Sequence, residues 1–115
     1  MDLLFIVLQK IYLRPEMFIS KKSISNLYLF ILGYRMRALE DNSKYKDCMD
    51  EFTEFVQIKY NDKYQVLHWK ELILKNSNSE EDAFEVFFCL MKEHLQYKYQ
   101  PNGMLYLFNV DTWRI

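Results

Sequence analysis

Glycine and proline are scarce in this chain, two of each in 115 residues. Sheet-rich folds use both in tight turns, so their scarcity favours helices joined by short polar links. Gly33 and Gly103 stand alone, which excludes the glycine-rich phosphate loops of nucleotide-binding folds. An excess of one charge is also lacking. The formal net charge is −1, whereas nucleic-acid binders carry a basic excess on one face. The apolar run Leu3 to Leu8 falls far short of the ~20 residues that span a bilayer. Asp2 stands where a signal peptide carries basic residues, and no small-residue cleavage site follows. The expectation is a cytoplasmic protein with no membrane, nucleic-acid or small-molecule partner. Cysteine is sparse as well. Cys48 and Cys89 lack metal-ligand spacing and fall inside apparent helices beside core positions. Buried free thiols are expected, since a disulfide would better suit a secreted chain.

What is abundant is apolar surface and rings. The chain is 50% hydrophobic and 17% aromatic, which excludes disorder. Its length suits one domain, residues 1–115, able to bury roughly 65% of its unfolded surface. Nine Tyr and nine Phe exceed the needs of one small core. Some rings must lie near the surface, where Tyr is favoured at protein interfaces.

The periodicity predicts an all-α, single-domain bundle of about five helices with a packed C-terminal tail. A first helix covers Asp2 to about Tyr12, with Asp2 at the positive end of its dipole. Pro15 breaks it, making Arg14 to Ile19 a connector whose Met17 and Phe18 fold back on the body. Ser23 caps a second helix to about Leu39. Ile24, Leu27, Tyr28, Ile31 and Arg35 repeat at helical spacing, with Leu29, Phe30 and Leu32 on the other sides. A helix apolar nearly all round reads as the central one. Gly33 within it costs about 1 kcal/mol against Ala, so a close approach by a neighbour is expected there. A third helix runs from Tyr45 to Tyr60, with Cys48, Phe52, Phe55, Val56 and Lys59 inward. Asn61-Asp62-Lys63 closes it. Val66 to Lys75 is a shorter helix with Trp69, Leu72 and Ile73 inward. Ser79 caps a fifth, with Glu80, Glu81 and Asp82 in its first turn and a stripe of Phe84, Phe87, Phe88, Met91 and Leu95. After Pro101-Asn102-Gly103 the tail, Met104 to Ile115, is a strand or an extended segment packed on the bundle.

Chemistry is thinly supplied. His68 and His94 have no second His or Cys at ligand spacing, so no metal or other cofactor is expected. Cys89 and His94 are five residues apart and point to different sides of a helix, and nothing favours Cys48 with His68. The chain therefore does not read as an enzyme. Asp47, Asp50, Glu51 and Glu54 recur at spacings of three and four, forming one acidic helix face. Such faces are usually only solvated. The functional reading is a patch for a basic partner, rimmed by Tyr45 and Tyr60 at the two helix ends. For Glu80 to Asp82, plain helix capping suffices.

Three segments together resemble a known group: Arg14-Pro15-Glu16-Met17-Phe18-Ile19 followed by Ser23-Ile24-Ser25-Asn26-Leu27; Phe30-Ile31-Leu32-Gly33-Tyr34; and the layout Phe52, Phe55, Tyr60, Trp69, Ala83-Phe84, Phe87-Phe88 and Leu90. The pattern, from Tyr12 to Leu95, is similar to small bacterial immunity proteins of contact-dependent growth inhibition and polymorphic-toxin systems. It departs at Ile19-Ser20, where that group carries a glycine soon after the Met-aromatic pair. The resemblance implies a protein that binds a cognate toxin C-terminal domain, often a nuclease, and blocks its active site or substrate path. The matched residues are scaffold and transfer no site. Nuclease active sites tend to be basic, so the expected contacts are Asp47, Asp50, Glu51 and Glu54, with Tyr45 and Tyr60 as anchors. The alternative is a regulatory module for another protein partner.

Overall fold

The computed structural model describes residues 3–99, with side chains through residue 96. Asp2 and the tail from Met104 to Ile115 lie outside the described residues. Six helices follow in order: α1 Leu3–Leu13, α2 Pro15–Ile19, α3 Ile24–Asp41, α4 Met49–Lys59, α5 Trp69–Lys75 and α6 Glu80–Tyr99. The all-α class expected from the sequence is what the described residues adopt.

The core is built on α6. Ala83, Phe84, Phe87, Phe88, Met91 and Leu95 are fully buried along it. Their spacing leaves no polar face toward the neighbours. Phe87 meets Phe52 of α4 at 5.2 Å and Trp69 of α5 at 4.9 Å between ring centroids. Phe84 and Phe88 meet Tyr12 of α1 at 6.4 and 4.9 Å. Each such ring pair adds about 1 kcal/mol beyond the area it buries. Leu4, Phe5, Leu8 and Ile11 complete the core from α1.

Several expectations are corrected. The segment read as a connector contains α2, because Pro15 occupies its first turn, where the missing N–H costs nothing. Pro15 and Ile19 are its buried residues, while Met17 and Phe18, expected to fold back, are exposed. α3 is not the central helix. Only Ile24, Leu27 and Ile31 are buried on it, and its outer side carries exposed leucines and a methionine. No neighbour crowds Gly33: a Cβ built there meets nothing within 4 Å. α4 starts at Met49 rather than near Tyr45. The preceding residues are held by an Asn42 side chain that accepts the Lys44 N–H at 3.0 Å. Lys59 is exposed and reaches Glu93 at 2.8 Å rather than pointing inward. α5 begins at Trp69, leaving Val66 exposed. Cys48 is buried at the α4 N-cap, but Cys89 is exposed on α6.

Two junctions fix α3. Ser20 sits at φ 79°, ψ −43° at the end of α2, a conformation that glycine adopts without strain and serine does not. Beyond it, Asn26 donates its side-chain amide to the Ile19 carbonyl at 2.9 Å. The first turn of α3 is then clasped by the first turn of α6. The Ser23 hydroxyl and the Ser25 N–H each donate to Glu80 at 2.9 Å, and the Ser25 hydroxyl at 2.8 Å. Glu80 therefore does more than complement its own helix. Ser79 does cap α6 as expected, accepting the Asp82 N–H at 3.0 Å.

Burial alone would raise the Glu80 carboxyl. The Ser25 N–H, the two serine hydroxyls and Lys70 outweigh it and hold the group below its ordinary value of 4.5. A carboxyl held down in the folded state adds stability above its unfolded value and loses it as pH falls through the folded one. Glu80→Ala is expected to lower unfolding free energy by about 2 kcal/mol at neutral pH. In urea titrations at stepped pH, the gap between variant and parent should close as pH falls below 4.5. Ser20→Gly and Gly33→Ala are each expected to raise stability by about 1 kcal/mol. The first relieves a positive φ, and the second adds helix propensity in open space. A loss at Gly33→Ala in thermal melts would contradict the open environment.

Candidate functional site

The acidic face expected on the third helix divides in two. Asp47 precedes α4 and turns inward. Its side chain has 0% exposure, and it accepts from the Arg35 Nε at 3.0 Å and from the Met49 N–H at 2.9 Å. That backbone bond satisfies one of the orphan donors at the start of α4. Asp50, at 83% exposure, reaches the Arg35 guanidinium at 3.3 Å from outside. Arg35 therefore bridges α3 to α4. Burial would lower its proton affinity, but the Asp47 and Asp50 carboxylates raise it beyond the ordinary value. Glu51 and Glu54 are exposed on α4. Glu54 has no ion-pair partner among the described residues.

Asp50 and Glu54 border an open cavity of about 470 Å3 that they share with Arg35, Gln57, His68 and Trp69. Its floor is rigid. Gln57 is buried and donates to the Leu67 carbonyl at 2.9 Å, and Asp62 accepts the Leu67 N–H at 2.9 Å. Together they pin the loop between α4 and α5. Gln65 on that loop holds φ 53° and lines the cavity rim. His68 stacks on Tyr28 at 5.1 Å and reaches Glu71 at 3.1 Å.

The two tyrosines do not frame this cavity. The Tyr45 hydroxyl is buried, so the ring is not a free rim. Tyr60 caps the far end of α4, about 15 Å along the axis from Asp50. Its hydroxyl titrates above the ordinary value of 10.0, chiefly from burial, with Lys59 lowering it and Asp82 of α6 raising it. Tyr60 thus belongs to the α4–α6 side. Of the six residues selected from sequence, the structure leaves Asp50, Glu51 and Glu54 as one solvent-facing set.

Sequence reasoning missed Arg35, His68 and Trp69 as neighbours of that set. Arg35 did carry a signal. It ends an apolar series on α3 that otherwise faces the core, and a cation there requires a carboxylate. Among the described residues, no group of three His, Cys, Asp or Glu side chains is arranged to hold a metal ion. Among them, too, no helix is long and apolar enough to cross a membrane.

The division of the acidic face has a measurable consequence. Asp47→Ala removes the buried partner of the half-buried Arg35 and the acceptor of the Met49 N–H, and is expected to cost about 2 kcal/mol of stability. Asp50→Ala, on an exposed pair, should cost less than about 1 kcal/mol. Parallel chemical denaturation of the two variants checks this. Equal losses would contradict the buried role of Asp47.

The chain matches no protein-family model, no curated protein and no solved structure.

Proposed function

We propose that the protein is an immunity protein that binds the C-terminal domain of a cognate bacterial toxin and blocks its active site or substrate path. The observation that carries this reading is the exposed carboxylate set Asp50, Glu51 and Glu54 on a rigid helix beside an open cavity. A nuclease toxin binds a polyanion and presents a basic active site. Carboxylates fixed on one helix mimic the charge of that substrate at little conformational cost. The resemblance of the Tyr12–Leu95 pattern to immunity proteins supports the same class of partner. Asp47 contributes by holding Arg35 and the start of α4, and so sets the direction of the acids without touching the partner.

Co-expression with any toxin domain that an adjoining gene encodes tests the proposal. The expected outcome is a stable complex and restored growth of toxin-expressing cells. Its affinity should fall as salt rises. The triple reversal Asp50→Lys, Glu51→Lys and Glu54→Lys should weaken binding by at least about a hundredfold and flatten the salt dependence. Binding unchanged by that reversal would remove the acidic face from the interface. Failure to bind any such domain would favour a regulatory module with another protein partner.

A further inference from the structure

α3 carries an apolar stripe that no described element covers. Leu29, Leu32, Met36 and Leu39 are 63, 41, 60 and 46% exposed. They follow one another at spacings of three, four and three residues, the a/d rhythm of a helix seam that receives another helix. The backbone beneath is firmly held: the first turn of α3 is clasped by Glu80 and its middle by Asp47 through Arg35. Solvent-facing apolar residues in a row at this density mark interaction surfaces.

The stripe is continuous with the acidic face. Leu32 and Leu39 stand three residues before and four residues after Arg35, hence on its flank of the helix. Arg35 in turn holds Asp50 at 3.3 Å. The α4 flank of the ridge carries Arg35 with Asp50, and α3 itself carries Arg37 with Glu40 and Asp41, so with Glu54 the exposed carboxylates number four against two arginines. The 3-4-3 spacing selects a helix as the occupant, and the acidic borders select a cationic one. A second copy of this chain would set carboxylate against carboxylate at these borders.

We infer that the α3 stripe and the α4 carboxylates form one docking surface for an amphipathic helix of the partner, with an apolar ridge flanked by lysines or arginines. This rests on the protein-binding reading above and names the element of the partner that would be recognised. The apolar ridge supplies most of the affinity, and the acids supply orientation and encounter rate.

The test uses the full chain and two synthetic helical peptides, one built of leucine and lysine and one of leucine and glutamate at the same spacing. Fluorescence anisotropy should show binding of the lysine peptide alone. The double variant Leu32→Ser/Met36→Ser should weaken it at least about tenfold with its salt dependence kept. Asp50→Lys/Glu54→Lys should weaken it and abolish the salt dependence. Both pairs are exposed, so melting temperatures should stay near the parent value. Equal binding of the two peptides, no binding, or indifference to Leu32→Ser/Met36→Ser would overturn the inference. So would a concentration-dependent dimer lost in that double variant, or lysine-peptide binding that appears only after residues 104–115 are removed. The toxin reading fails separately. A lysine peptide that binds as expected with no capture of the toxin domain removes that partner alone. A toxin complex indifferent to Leu32→Ser/Met36→Ser removes the docking surface alone.

Discussion

Phe87 cannot move without moving three helices. Its ring lies against Phe52, Trp69 and Phe88, so α4, α5 and α6 share one contact. Phe84 and Phe88 extend the same cluster to Tyr12 on α1. Close packing of this kind tolerates little change of volume, because an interior of interlocked rings has few ways to relax. The aromatic wealth of the chain is thus largely spent on joining short helices that would be marginal alone. α5 has only seven residues and α4 eleven, and each is held by an anchor ring rather than by its own length.

α3 is joined by different means. It buries Ile24, Leu27 and Ile31 and is fixed in addition at polar points: Glu80 at its first turn and Asp47 through Arg35 near its middle. Polar joints hold direction well and add little net stability. Such an arrangement suits a helix whose outer side is given to something other than the core. It also explains why carboxylates with similar spacing differ so much. Asp47 lies where α3 and α4 converge, and Glu54 lies two turns on, where α4 is open to solvent.

Helix identity was legible in the sequence because periodicity records burial. The α6 stripe and the inward Trp69, Leu72 and Ile73 stand where the spacing placed them. What escaped was anything set by tertiary partners. Leu29 and Leu32 look like core in a hydrophobic pattern, since the pattern counts apolar residues and does not know whether another element arrives to cover them. The direction of Asp47 depended on Arg35, twelve residues earlier. The α2 turn is not legible because a proline that ends one helix can equally open the next. Within the acidic face, Asp50, Glu51 and Glu54 are exposed on α4. Spacing could not tell that Asp47 leaves the group or that the two tyrosines lie elsewhere.

The clasp at Glu80 spans 55 and 57 positions of sequence to reach Ser25 and Ser23. A nascent chain emerging from the ribosome therefore presents α3 well before the residue that secures its first turn exists. Until then the helix has only the ties made by earlier residues: Ser23 accepting the Asn26 N–H, Asn26 donating to the Ile19 carbonyl, and Arg35 donating to Asp47 and Asp50. The arrival of Glu80, the first residue of α6, is what supplies the carboxylate for that clasp.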